Sequence, residues 1–298
     1  MATDASADTL TRFLLPAAGV RGVAVRLDDT WQAVASRADY PPSTRELLGE
    51  ASAAAVLFTG HTKVDGRLSI QLRSQGSLRS LFAECTASGT VRGIAQLSAD
   101  QDAPRDLRDL GDDALLAITI ENPGLDPREP QRYQSLVGLE ASRLAEAFED
   151  YFRQSEQLPT RLLLSANGDC ACGLMLQKLP GDEGDDDGWN RTGALFDTLG
   201  EAELLATPVP DLLHRLFHEE SPQILTQRPV RFGCSCSRER VESMLQSLGE
   251  EEATAALADG VVEVRCEFCG QEYRFSPPQI AELFSQPKVD VDAPSRLQ

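Results

Sequence analysis

The side chains of this chain best suited to chemistry are cysteines, and four of the seven are grouped. Cys234, Cys236, Cys266 and Cys269 fall within 36 residues as C-x-C, 29 residues, then C-x-x-C. Four thiolates in a tetrahedral array form the usual structural zinc site. Gly270 follows the second pair between two strand-like runs, as in a zinc knuckle, where glycine lets the backbone turn close to the sulfurs. Zn2+ is therefore the expected cofactor, with Cys234, Cys236, Cys266 and Cys269 as its ligands. The C-x-C is tighter than the spacing of a generic zinc ribbon. An iron–sulfur cluster is the lesser metal alternative.

Thiolates are also the oxidisable form of cysteine. Each pair is near enough in sequence to close a disulfide, although the C-x-C needs a bend to bring its Cα atoms within reach. Four cysteines allow three pairings. An oxidant that consumed the thiolates would expel the metal, and a small module that depends on metal would then unfold.

The other reactive residues read as structure. Cys85 in LFAEC is expected to be buried packing. Cys170 and Cys172 in SANGDCACGLML are expected to be small core residues in or beside a strand, with a second redox pair as the alternative. His214 and His218 share a helix face, but HRLFH lacks the glutamate of H-E-x-x-H, so packing or surface is expected. His61 is expected at the surface or as a cap. No P-loop, G-x-S-x-G or Ser/His/Asp cluster is present, and no enzyme is expected. The acidic run at 182–187 lacks EF-hand spacing and reads as a solvated loop.

The elements that must position these residues follow from patterning. Residues 20–28 read as a strand and 30–37 as a weak helix. Ser43 and Glu46 have capping-box spacing, and the apolar run 46–58 reads as a buried central helix. Strands are expected in 67–74, 77–85, 91–97, 115–120, 133–140, 161–166 and 173–179. In the first of these, Leu68, Ile70 and Leu72 alternate with polar residues. Residues 141–155 form an amphipathic helix pattern. The fold class expected is α+β, with an N-terminal antiparallel-sheet domain, a helical linker and a small C-terminal zinc-binding domain. The boundaries expected are 1–180, 181–230 and 231–298. The linker carries two short helical patterns with Leu212, Leu213, Leu216 and Phe217, which need a surface to pack on. In the last module a helix is expected after the C-x-C, and CEFCG sits at a hairpin turn.

Composition narrows the function. The chain has 298 residues, 41% hydrophobic, with 28 Lys and Arg against 47 Asp and Glu, a formal charge of −19. That charge argues against nucleic acid and anionic membranes, because phosphate binding needs clustered cations. Within 231–275, five Arg face nine acidic residues, which weakens the zinc-ribbon nucleic-acid reading. No apolar run approaches a bilayer span, and MATDASADTL lacks the marks of a signal peptide. A cytoplasmic location is expected.

The segment RPVRFGCSCSRERVESMLQSLG, followed by EVRCEFCGQEYRF, resembles the redox-regulated heat-shock chaperones of bacteria, the 33 kDa chaperonin family. VRGVAVRL, FEDYFRQSEQLPTR, GLMLQKLP and LLHRLFHEE extend the resemblance across about residues 13–285. The resemblance implies a stress-response holdase that needs no ATP, binds unfolding client proteins and prevents their aggregation. It implies an inactive, reduced, zinc-bound form. Oxidation would form disulfides Cys234–Cys236 and Cys266–Cys269, release zinc, unfold the module and linker, and favour a homodimer. Cys170 and Cys172 depart from the family pattern, where small apolar residues are commonplace. The alternatives are a structural zinc-ribbon interaction module or a thiol–disulfide oxidoreductase.

Overall fold

The long apolar run that follows Pro41 and Pro42 becomes the organising helix. Pro42 opens it, where a missing N–H costs nothing. This computed structural model describes residues 8–98, 101–124, 130–181, 184–257 and 260–285, in two compact units, Met1–Gly233 and Cys234–Gln298.

The first unit opens with β1 (Thr9–Leu15), β2 (Val20–Leu27), α1 (Asp29–Ala35) and α2 (Pro42–His61). Then come β3 (Arg67–Arg73), β4 (Leu78–Thr86), β5 (Thr90–Leu97), β6 (Leu115–Asn122) and β7 (Gln131–Val137). After α3 (Leu144–Tyr151) follow β8 (Thr160–Ala166) and β9 (Ala171–Lys178). The unit closes with α4 (Gly188–Phe196), α5 (Glu201–Ala206), α6 (Val209–Phe217), β10 (Gln223–Pro229) and β11 (Arg231–Phe232).

The strands make two sheets where the sequence suggested one. The first has the order β10-β1-β2-β9-β8 and is antiparallel throughout. The second has the order β11-β5-β4-β3-β6-β7, antiparallel except for the short parallel pair β11–β5. Helix α2 packs on strands of both sheets, which is why it is apolar nearly all round. Its Leu47, Leu48, Ala51, Ala54, Val56 and Leu57 are buried.

Three local expectations change. Ser43 does not cap α2; it lies inside the helix. Asp102 caps it from a distance, accepting from the Ser43 and Thr44 amides at 3.2 and 2.9 Å and from the Thr44 hydroxyl at 2.8 Å. The amphipathic pattern over 141–155 holds as α-helix only for α3. Residues 152–156 widen into a π-turn that ends at Gln157 in the left-handed region (φ 56°), while Phe152 packs edge-on against Phe58. Residues 223–229 are an edge strand, wholly exposed, that pairs with β1.

The stretch after β9 is anchored. Asp182 and Glu183 lie outside the described residues. Gly184 adopts φ +85°, and a Cβ there would fall 2.3 Å from the Gly19 amide nitrogen, so only glycine fits against that turn. Helices α4 to α6 lay Phe196, Leu204, Val209, Leu212, Leu213 and Phe217 onto Phe13, Leu15, Val20, Leu174 and Leu176 of the first sheet. Phe217 stacks on Phe13 with ring centroids 6.3 Å apart. Polar ties complete the contact. Arg143 pairs with Glu201, Arg161 Nη2 lies 3.4 Å from Asp197, and Arg26 donates to the Leu205 carbonyl at 2.6 Å.

The second unit contains α7 (Arg238–Leu248), α8 (Glu250–Ala255), β12 (Val262–Arg265), β13 (Glu272–Phe275) and α9 (Pro277–Ser285). Strands β12 and β13 form a hairpin with Arg265 opposite Glu272. Its core is small: Val241, Leu245, Ala253, Val262, Phe275 and Ile280. Among the described residues no helix is long and apolar enough to cross a membrane.

Candidate metal centre

Two turns of the second unit bring the four cysteines together. Cys234 and Cys236 lie just before α7, whose N-cap Ser237 accepts from the Arg240 amide at 3.3 Å. The Arg240 guanidinium reaches back to the Ser235 hydroxyl at 2.9 Å and ties the C-x-C loop to α7. Cys266 and Cys269 sit in the hairpin turn. The Cys266 amide donates to Gln271 O at 2.9 Å, and the Gly270 amide donates to Cys266 O at 2.7 Å. Gly270 takes φ +73°, a conformation that L side chains rarely adopt, and the sequence reading of this glycine holds for that reason.

The four sulfurs all lie within 4.8 Å of one another. Cys236 and Cys269 stand 3.3 Å apart, and Cys234 and Cys266 stand 3.7 Å apart. A tetrahedron with Zn–S bonds of ~2.3 Å has sulfurs about 3.8 Å apart, so this donor set fits a zinc ion. Among the described residues it is the one cluster of three or more side chains placed to share a metal.

Tyr273 on β13 joins the site, donating its hydroxyl to Cys236 Sγ at 3.1 Å. Burial works against ionisation of Cys236. Hydrogen bonds from Tyr273 and the other three thiols outweigh it and lower its pKa to about 7. Cys269 goes the other way, pushed up to about 12 by burial and by its hydrogen bonds with Cys236, Cys266 and Cys234. Cys236 is thus readier than Cys234 or Cys269, whose thiols are pushed up, to lose its proton at neutral pH, for a metal or for an oxidant. Sequence reasoning missed Tyr273; its position four residues after Cys269 on the returning strand was the available signal.

The remaining candidates separate from this centre. Cys85 is buried in the first unit's core, and burial pushes its thiol up to about 12. Cys170 and Cys172 are buried together in that unit. His214 on α6 and His218, which follows its last residue, have ring centroids 5.5 Å apart, and among the described residues no third ligand joins them. His61 is neither a surface residue nor a cap. It ends α2 half-buried, its Nε2 3.3 Å from Arg21 Nη2 and its ring edge-on to Phe152. Burial, then the charges of Arg21 and Arg12, lower its pKa to about 3.

Comparison with known proteins matches this arrangement to a characterised group. The sequence profile described as Hsp33 protein matches residues 8–276. The 33 kDa chaperonin of Ectopseudomonas mendocina is 43% identical over 299 residues, covering 98% of this chain and 99% of its own. That of Chromobacterium violaceum is 40% identical over 290 residues, with 97% of each chain covered. A crystal structure of the 33 kDa chaperonin of Thermotoga maritima superposes with a TM-score of 0.75, at 20% identity, over 93% of this chain and 98% of that one.

Proposed function

The chain belongs to the Hsp33 family, and from that premise we propose that it is a chaperone of a particular kind: a redox-regulated, ATP-independent holdase. It binds unfolding client proteins under oxidative stress, in the cytoplasm, and keeps them from aggregating. The observation that carries this reading is the convergence of Cys234, Cys236, Cys266 and Cys269 within 4.8 Å in a unit with a small apolar core.

In the reduced state these four thiolates are the ligand set for zinc. Bound zinc would supply the second unit with on the order of 10–16 kcal/mol, which its own core does not provide. Oxidation of the sulfurs removes the donors, and the unit loses its fold. We assign residues 1–180 to client binding and dimerisation, 181–230 to a metastable linker and 231–298 to the switch. What supports the linker assignment is its mode of attachment: α4 to α6 are short helices held by one apolar face and a few polar ties. Their release uncovers Phe13, Leu15, Val20, Leu174 and Leu176, an apolar face suited to unfolded chains and to a second copy of the protein.

The oxidoreductase reading is weaker, because CEFCG occupies a hairpin turn and not the start of a helix. Stepwise treatment of the reduced protein with hypochlorous acid tests the proposal. Zinc release, free-thiol count and suppression of client aggregation are read on one sample. Loss of zinc and of about four thiols, together with a gain of activity, is the expected result. Zinc retained with no activity, or efficient catalytic reduction of insulin, overturns it.

A further inference from the structure

Cys170 and Cys172 belong to no part of the four-cysteine centre. Cys170 closes the turn between β8 and β9, where the Asn167 side chain accepts from the Asp169 and Cys170 amides at 2.8 and 2.9 Å. Cys172 is the second residue of β9. Residues two apart point to one side of a sheet, and both sulfurs face the core beneath α4 to α6. They are 3% and 1% exposed, so no oxidant reaches them in this conformation.

What covers them is the Leu205 carbonyl of α5. Cys170 Sγ donates to it at 3.8 Å. Arg26 Nη1 donates to the same oxygen at 2.6 Å and stands 3.8 Å from Cys172 Sγ. One backbone oxygen thus holds Cys170 as a thiol and occupies the neighbouring guanidinium N–H.

We propose that Cys170 and Cys172 are a second oxidation-sensitive dithiol, shielded by α5, which closes to a disulfide once α5 lifts and then hinders its return. This rests on the release of residues 181–230 proposed above. Without Leu205, Arg26 Nη1 keeps Cys172 Sγ at 3.8 Å while its Nε stays on Asp28 Oδ2 at 3.0 Å, and a nearby cation favours thiolate. The two thiols also hydrogen-bond to each other, which lowers the pKa of Cys170 and raises that of Cys172. Cys170 stands in the turn just before β9 and loses its acceptor when α5 lifts, so it is the attacking sulfur in this scheme. Its thiolate attacks hydrogen peroxide, the O–O bond breaks, and one water leaves behind a sulfenic acid. The Cys172 sulfur attacks that sulfur, the S–O bond breaks, and a second water leaves. Two thiols and one peroxide become one disulfide and two waters, with two electrons passed to the peroxide. The disulfide has no S–H to offer Leu205, and its linked sulfurs no longer fit beneath α5.

The test uses full-length protein treated with hydrogen peroxide, alkylated and digested with trypsin. Residues 162–178 form one peptide carrying both cysteines. Two undocked variants are compared with wild type: Leu204→Glu, which places a charge at a buried contact of α5, and the milder Glu201→Arg, which opposes Arg143. Cys85 staying unreactive shows that the core is intact. The peptide should lose two hydrogens at least ten-fold faster in these variants than in zinc-bound wild type. Wild type should match them only after zinc release. In Cys170→Ala/Cys172→Ala, zinc release should be unchanged, and protease protection of 181–230 should return several-fold faster after mild reduction. Two alkylatable thiols persisting in the undocked variants, or equal oxidation in closed wild type, overturns the inference. The variants open without the zinc switch, so a failure of that switch alone leaves their outcome readable.

Discussion

Cys236 and Cys269 hold their sulfurs 3.3 Å apart, a contact between the two cysteine motifs and not within either. A disulfide there would close a loop 33 residues in span and staple the unit in its folded form. Neighbour pairs, Cys234–Cys236 and Cys266–Cys269, close rings of a few residues and leave the unit free to unfold. Peptide mapping after oxidation is therefore expected to find the neighbour pairs. Cross-motif disulfides in an active sample would contradict the unfolding mechanism.

Removing one ligand or its support should separate two effects. Cys266→Ser is expected to weaken zinc binding and to make residues 181–230 easier to cleave. Tyr273→Phe leaves all four ligands but removes the 3.1 Å hydrogen bond to Cys236. Loss of such an outer partner typically costs about 10–100-fold in metal affinity. Competition with a zinc chelator measures both, and unchanged affinity in Tyr273→Phe would remove that tyrosine from the site.

The stack of Phe217 on Phe13 is one of the apolar contacts holding α6 to the first sheet, and both rings are fully buried. Phe217→Ala is expected to cost about 3–5 kcal/mol. Much of that loss should fall on the docking of α4 to α6. Limited proteolysis should cut within 181–230 of the reduced protein, and anti-aggregation activity should rise without oxidant. Protease resistance equal to wild type would show that docking does not depend on this stack.

Asp102 caps α2 through the Ser43 and Thr44 amides. Asp102→Ala is expected to destabilise the first unit by about 0.5–2 kcal/mol. At roughly 2–4 °C per kcal/mol, calorimetry resolves the change. Ser43→Ala, by contrast, should have little effect.

His61 makes stability fall in acid. Its folded pKa is about 3, lowered by burial and by Arg21 and Arg12, against 6.5 when free. It shares the cavity wall with Lys63, Tyr151 and Glu156. Between pH 6.5 and about 3 the unfolded chain takes up a proton that the folded chain refuses, so stability contributed above pH 6.5 is lost as the pH drops through that window. The loss is at most about 1.4 kcal/mol per pH unit. His61→Gln should flatten the dependence. Urea unfolding at pH 7.5 and 5.0 measures it, and parallel slopes for both proteins would place the acid sensitivity elsewhere.

Much of the molecule was legible in one dimension because its causes are local. The C-x-C and C-x-x-C spacing, with Gly270 at a positive φ, defines a four-thiol turn pair before any fold is known. Alternation in 67–73 marks β3, and the apolar run after Pro42 marks a helix buried on all sides. Other features arise from residues far apart in the chain. Asp102 reaches α2 across 58 residues, and Arg26 meets Leu205 across 179. Two sheets instead of one, the edge strand β10, the half-buried His61 and the shelter of Cys170 and Cys172 under α5 follow from such pairings. A hydrogen bond between distant residues leaves no periodicity in either segment, so only the folded chain decides which donor meets which acceptor.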